Sequence, residues 1–391
     1  METDDGGDKM TISRREFSGA LAAGLALPGL IGRASAQGAT IKIGMCTPVT
    51  GPAAEAGKYA QIGAHIAVDA VNKAGGVLGK QVELIVEDDQ TTNPGIVLAF
   101  SKLSSQTDIV AFLGSIRSTQ VHAIAPDVLK IAKPVMIGGT DPALTHMNNP
   151  WLFRFRPNDT YSGSVIAEYG VQTLGKKKWC VVHSTDAFGT AGGKALSAAL
   201  GKLDGTSIVL DQGYTNQSQD FTPVVLAIKQ SGADVLGSYF TFENDLGVFA
   251  RQLRQLGVTI PWVGSATTVN QTALKLAGPA LFGTFAVADY AEDSSPAAKS
   301  FATAYKAIAK VPPDNQSSWT FDAITVLCMA INKAGKTDPA AIREAILAVR
   351  KHAGAEGEYN FDANGDGLHG YNIVKNDKGN IVFDKHVESN A

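Results

Sequence analysis

The chain has 391 residues, with 34 Lys and Arg against 37 Asp and Glu, for a formal net charge of −3. That balance offers no basic excess with which to hold nucleic acid or an anionic membrane surface. With the leader described next set aside, roughly 355 residues remain, more than one hydrophobic core comfortably serves, so two domains are expected.

The N-terminus reads as a targeting segment. Ser13-Arg14-Arg15-Glu16-Phe17 matches a twin-arginine export signal, the apolar run Ala20 to Ile31 follows, and Ala34-Ser35-Ala36 supplies an A-x-A cleavage site. The apolar run is shorter than a membrane span and contains Pro28. Residues 1–36 are therefore expected to be a signal peptide cleaved after Ala36, which places the mature protein in the periplasm. Glu2, Asp4, Asp5 and Asp8 are foreign to a basic leader, so Met10 reads as the natural start. No later run is long and apolar enough to span a bilayer, and the mature chain is expected to be a monomer that does not cross the membrane.

Thr40 to Thr47 has strand character. A loop with Gly51-Pro52 leads into a helix from about Lys58 to Lys73, stopped by Gly75-Gly76. Val82 to Val86 is a second strand, and Asn93-Pro94 starts a helix to about Ser105. Ile109 to Leu113, closed by Gly114, has the length and punctuation of a buried parallel strand. The hydroxyl-rich turn Ser115-Ile116-Arg117-Ser118-Thr119-Gln120 opens a helix to about Ala132, and the short strand Pro134 to Ile137 ends in Gly138-Gly139-Thr140-Asp141-Pro142. This alternation specifies a parallel sheet with helices on both faces. Two neighbouring strand ends thus present small or hydroxyl residues at the edge where open α/β sheets bind ligands. Free N–H groups at a helix start suit a carboxylate there, although Ser118 as a simple cap and Gly138-Gly139 as a simple turn satisfy the same pattern.

After a pause at Trp151 to Pro157 the alternation restarts. Helices are expected at Tyr161 to Leu174, Gly192 to Leu203, Phe221 to Gln230 and Glu243 to Leu256. Strands follow them at Lys178 to His183, Ser207 to Leu210, Asp234 to Ser238 and Pro261 to Val263. Three helical stretches then run Pro296 to Lys310, Asn315 to Ala334 and Pro339 to Arg350, and the tail from Gly357 reads as short strands and turns. The fold class is α/β: two doubly wound parallel-sheet lobes. Elements added late imply that the chain crosses between the lobes more than once, leaving a cleft suited to a small molecule.

Catalytic and metal motifs are incomplete. Asp362-Ala363-Asn364-Gly365-Asp366-Gly367 starts like a calcium loop, but Ile373 stands where its twelfth-position glutamate belongs. Gly193-Lys194 lacks the first glycine of a phosphate loop, where Phe188 stands, and the following Ser/Thr, where Ala195 stands. There is no H-E-x-x-H and no G-x-S-x-G, and the seven histidines are scattered. Cys46, Cys180 and Cys328 fall inside predicted strands and a helix and read as core residues. No cofactor, metal site or catalytic residue is expected.

Taken in order, Gly51-Pro52, Gly75-Gly76-Val77-Leu78-Gly79 before Glu87-Asp88-Asp89, Gly138-Gly139-Thr140-Asp141-Pro142, Asp186-Ala187-Phe188-Gly189 and Phe321-Asp322-Ala323 resemble the periplasmic binding proteins of the leucine/isoleucine/valine type. These are type I solute receptors that feed the permease subunits of ABC importers, and the likeness covers the whole mature chain. It implies three crossovers between the lobes, with residues 37–156 plus 289–365 in the first and 157–288 plus 366–391 in the second. It implies that Ser118, Thr140 and the Gly138 carbonyl hold the α-carboxylate and ammonium of a ligand, and that Phe188 and Phe242 close over it. The chain departs from the pattern at Ala56, where an aromatic belongs, and at Ala266, where the acid that pairs with the ligand ammonium belongs. Glu243, Asp245 or Asp141 would have to replace that acid, whereas Arg117 beside Ser118 favours a ligand with net negative charge. The implied function is non-enzymatic capture of a small carboxylate, either an apolar amino acid or an aromatic or aliphatic acid lacking an amine. A sensory receptor domain is the rival reading.

Overall fold

The computed structural model describes residues 40–388, so the leader and its cleavage site lie outside the described residues. The first sheet is built from β1 (Ile41–Thr47), β2 (Val82–Asp88), β3 (Ile109–Leu113), β4 (Val135–Ile137) and β5 (Leu152–Arg154). The intervening helices are α1 (Ala54–Lys73), α2 (Asn93–Ser104) and α3 (Ser118–Ile131). The strand order is β2-β1-β3-β4-β5, parallel throughout.

The second sheet repeats this winding. Its strands are β6 (Lys178–Ser184), β7 (Ser207–Tyr214), β8 (Val235–Tyr239), β9 (Trp262–Gly264) and β10 (Phe285–Ala288), paired in the order β7-β6-β8-β9-β10. Its helices are α4 (Asp159–Glu168), α5 (Ala187–Leu200), α6 (Thr222–Ser231), α7 (Glu243–Gln255) and the short α8 (Gln271–Ala277). Side-chain caps start many of the helices, among them Thr92, Asn158 and Asp186, each accepting from a backbone N–H of the first turn.

Three late helices follow: α9 (Pro296–Ala309), α10 (Asn315–Ala334) and α11 (Pro339–Leu347). Trp319, Ala323 and Leu327 of α10 share a core with Ala60, Ala64 and Ala67 of α1 and with the first sheet. The two helices meet closely at Gly63, where an added Cβ would fall 2.0 Å from the Ser317 carbonyl oxygen. Thr320 Oγ1 donates to the Ala60 carbonyl at 2.7 Å across the same contact. A two-residue pair, β11 (His352–Ala353) with β12 (Glu358–Tyr359), precedes the final hairpin of β13 (Gly370–Asp377) and β14 (Asn380–Glu388).

That hairpin corrects the expectation of short strands and turns in the tail. β13 pairs antiparallel with β10 and extends the second sheet to seven strands. β14 is an edge strand whose residues are mostly exposed, so charged side chains such as Asp384 and Lys385 interrupt the apolar pattern that marks an inner strand. Similarly, β7 runs on past the expected Leu210 to Tyr214, because an edge strand tolerates Asp211 and Gln212.

The segments that pass between the sheets are tied to one another. Arg154 is fully buried and its Nε donates to Asp366 Oδ1 at 2.8 Å, while Asn158 Nδ2 donates to the other oxygen of Asp366 at 3.1 Å. Arg156 pairs through Nε with Asp289, whose carbonyl accepts from Asn372 Nδ2 at 2.8 Å. Burial opposes ionisation of Asp366, but the charge of Arg154 holds its carboxyl below the usual range.

Candidate functional site

Strand order reverses between β1 and β3 in the first sheet and between β6 and β8 in the second. The crevice outside the carboxyl ends of such strands is where open α/β sheets bind ligands. Arg117 and Ser118 follow β3; Asp186, Ala187 and Phe188 follow β6; Phe242 and Glu243 follow β8. The two crevices face each other. Ala187 N donates to Thr119 Oγ1 at 3.3 Å, and Arg117 Cζ lies 5.3 Å from the centroid of the Phe242 ring. The Asp186-Ala187-Phe188-Gly189 turn needs its glycine: an added Cβ at Gly189 would fall 2.2 Å from the Ser184 carbonyl oxygen. That close approach starts α5 directly over the end of β6 and sets Phe188 at the cleft.

Two neighbouring cavities share Arg117, Phe188 and Thr241 in their walls. The inner one, about 30 Å³, is completed by Ile116, Arg156, Thr267, Asn315 and Gln316. Among the described residues that line it, two are arginines and none is acidic. The outer one, about 200 Å³, also takes in Ser118, Phe242, Asp186 and several amide side chains.

Arg117 is 7% exposed, and its Nε and Nη1 find no hydrogen-bond partner among the described residues. Its backbone N–H is held by Ser115 Oγ at 2.9 Å, which sets the turn. A buried guanidinium with unused donors is costly unless a negative group meets it. The nearby Asp89 carboxyl, pushed up by burial and drawn down in part by Arg117, keeps one oxygen unpartnered as well. Arg156 completes the basic wall; its Nη1 donates to the Gly138 carbonyl at 3.0 Å.

Arg117, Ser118, Phe188 and Phe242 therefore line one cavity, and Gly138, Thr140, Ala266 and Glu243 stand outside its wall. The Gly138 carbonyl, expected to face a ligand ammonium, accepts from Arg156 instead. Thr140 Oγ1 donates to Asp159 Oδ2 at 2.9 Å. Burial pushes the Asp159 carboxyl up to about 7, against the opposing hydrogen bond from Thr140. Ser118 Oγ accepts from the Asp141 N–H at 3.1 Å, which leaves its own hydrogen free to donate. Ala266 lines a different chamber, beside Tyr290 and Pro313.

The acids proposed as substitutes are engaged with protein groups. Glu243 is 3% exposed and its Oε1 accepts from Asn270 Nδ2 at 2.9 Å and Gln316 Nε2 at 3.2 Å, one layer behind the inner cavity. Asp245 accepts from the Gln217 N–H at 2.9 Å and is raised to about 6 by burial, with Glu243 adding to the effect. Asp141 accepts from His122 Nε2 at 2.7 Å and from the Ala143 N–H at 3.0 Å. Sequence reasoning missed Arg156, Thr241, Thr267, Asn315 and Gln316 as cavity residues. The apolar–Arg alternation Phe153-Arg154-Phe155-Arg156 was the one signal available, since an arginine between buried aromatics needs a partner.

The chain matches the periplasmic binding protein family model over residues 40–380. It is 30% identical over 367 residues to Leu/Ile/Val-binding protein homolog 3 of Brucella melitensis, covering 93% of this chain and 98% of that one. Among solved structures it superimposes on a leucine binding protein, LivK, of Thermotoga maritima with a TM-score of 0.83 at 24% identity, over 89% of this chain and 99% of that one. A solute binding protein of R. palustris in complex with benzoate gives 0.81 at 20% identity, over 90% and 99% of the two chains. Two sheets whose first five strands are parallel and wound alike, with their switch points facing across a cleft, are the type I form of that fold, and the chain belongs to the periplasmic binding protein family.

Proposed function

We propose that this protein captures a small carboxylic acid lacking an amine between its two lobes and delivers it to the permease subunits of an ABC importer. The observation that carries the reading is Arg117: a buried guanidinium with two unused nitrogens, set in an acid-free cavity wall beside Arg156. A carboxylate there gains charge-assisted hydrogen bonds, Ser118 adds a hydroxyl donor from the outer cavity, and Phe188 and Phe242 supply apolar cover. An ammonium would meet guanidinium charge instead. The fold itself is neutral on this point, since a leucine binding protein and a benzoate complex both share it.

The reading is of a binder rather than a catalyst, exported by its leader to the periplasm with Gln37 as the mature N-terminus. Intact-mass measurement of the exported chain checks this, and a mature form retaining Arg14-Arg15 overturns it. The rival, an apolar amino acid, draws on the name of the Brucella relative and would need Glu243 to face the ligand. A thermal-shift screen of aryl and alkyl acids against the apolar amino acids separates the two. A ligand at a hundred times its Kd adds about 2.7 kcal/mol of stability. Shifts given by amino acids alone overturn the proposal.

A further inference from the structure

We propose that Glu356 is a positioning residue for the anion site: it stays a neutral acid, leaves Asp289 as the one charged partner of Arg156, and so keeps the cavity wall positive for a ligand carboxylate. The inference rests on the Arg117 reading and extends it to the acid behind the second arginine of the wall.

Glu356 lies in the tight loop between β11 and β12. Asp322 of α10 fixes that loop, its Oδ1 accepting the N–H of Ala355 at 2.8 Å and its Oδ2 that of Glu356 at 2.9 Å. Tyr359 Oη donates to the same carboxylate at 3.0 Å. Gly354 permits the approach, since an added Cβ there would fall 2.7 Å from Asp322 Oδ2. The loop so held carries Glu356 inward to 3% exposure. Ser318 Oγ donates to its Oε1 at 2.7 Å, and its Oε2 has no partner among the described residues.

Each arginine of the Phe153-Arg154-Phe155-Arg156 run has an acid of its own, Asp366 for Arg154 and Asp289 for Arg156. Glu356 is a further acid. It forms no ion pair among the described residues, yet it is near enough for its charge and that of Arg156 to act on each other. A carboxylate buried with one oxygen unpartnered is costly, and a proton removes that cost. Burial and then the charge of Asp289 push the Glu356 carboxyl up, with Asp322 adding to the effect, while Arg156 and the Ser318 hydroxyl oppose it. Asp159 of α4 also faces Arg156 and is raised to about 7 by burial. The buried phenols of Tyr359 and Tyr371, nearby on β12 and β13, are pushed well above their usual range.

Arg156 gives Nε to Asp289 and Nη1 to the Gly138 carbonyl, and its guanidinium is part of the inner cavity wall. An ionised Glu356 would set a second carboxylate against that guanidinium and cancel the charge that attracts a ligand carboxylate. Conversely, a carboxylate bound beside Arg156 raises the Glu356 carboxyl further. Affinity is therefore full while Glu356 holds its proton and falls as rising pH removes it.

Difference infrared spectra of the ligand-free wild type against Glu356→Gln at pH 7 are expected to show the carbonyl stretch of a protonated carboxyl. Calorimetry with benzoate and 3-phenylpropionate at pH 6 and pH 10 then follows the linkage. The amide of Glu356→Gln keeps the shape and neutrality of the acid. Ionisation of Asp159 weakens both proteins alike, so the readout is the ratio of their affinities. The two should agree within twofold at pH 6, and Glu356→Gln should bind at least fivefold tighter at pH 10. A ratio that already departs at pH 6, or that stays flat to pH 10, overturns the positioning role and leaves the carboxylate reading standing. An infrared difference that shows only an ionised carboxylate overturns the positioning role as well. Failure of both acids to bind either protein overturns the carboxylate reading, and the positioning role with it, even where the infrared band is present.

Discussion

The guanidinium of Arg117 rests on the ring of Phe242, its carbon 5.3 Å from the ring centroid. A cation from the end of a strand in the first sheet thus sits on an aromatic from the end of a strand in the second, and the contact closes the wall of the cleft. Such a contact orients a guanidinium while leaving its N–H edge free.

Replacing Arg117 is expected to remove the ligand's main anchor. Hydrogen bonds to charged groups contribute about 1.5–3 kcal/mol each, so Arg117→Met should weaken the best acid at least tenfold by calorimetry. Arg117→Lys should recover only part of the loss, because an ammonium lacks the planar fork of donors. Wild-type affinity in Arg117→Met would show that the ligand's charge is held elsewhere.

Ser118→Ala carries two costs that can be read apart. Its hydroxyl accepts the Asp141 N–H at 3.1 Å, so the ligand-free protein should lose about 1–3 kcal/mol of stability in denaturant melts. Affinity should fall by about 1.5–3 kcal/mol through the lost donor to the carboxylate. Lower stability with unchanged affinity would reduce Ser118 to a support for the Asp141 turn.

Phenylalanine and 3-phenylpropionate differ by one amine and form a matched pair. An ammonium buried without a counter-charge costs several kcal/mol, so 3-phenylpropionate should bind at least tenfold tighter. Tighter binding of phenylalanine, abolished by Glu243→Gln, would restore the amino-acid reading.

Burial raises the carboxyls of Asp159 and Asp314 to about 7 and those of Asp245 and Asp322 to about 6. An unfolded aspartate titrates near 3.9, so between about pH 4 and 7 the folded chain binds more protons than the unfolded one. Their contribution to stability is therefore full below about pH 4 and is lost as the pH rises through 6 to 7. The ligand-free protein should melt at a higher temperature at pH 5 than at pH 8, and Asp159→Asn should narrow the difference. A melting temperature that rises across that range would contradict the assignment.

The winding of both sheets was legible in the sequence because apolar runs such as Ile109 to Leu113 and Asp234 to Ser238 alternate with helical patterns closed by glycine. Ser118 was read from its hydroxyl-rich turn at a strand end, whereas Phe188 entered only through the family resemblance. What was hidden is long-range. Arg154 meets Asp366 across 212 positions and Arg156 meets Asp289 across 133, and no local pattern announces such partners. The diversion of the Gly138 carbonyl to Arg156 followed from one of those pairs. The β13–β14 hairpin escaped because its outer strand faces solvent and carries the charges that a turn would carry.

The two arginine–aspartate pairs at the crossings have a mechanical consequence. Arg154, at the end of β5, is joined to Asp366, ahead of β13, and Arg156 is joined to Asp289, just after β10. Three strips of backbone are thereby fastened to one another, and parting them would strand a buried charge. Arg156 is also part of the cavity wall. Arg156 is thus at once part of the cavity wall and one half of a buried ion pair, so replacing it would disturb the wall and the tie to Asp289 together.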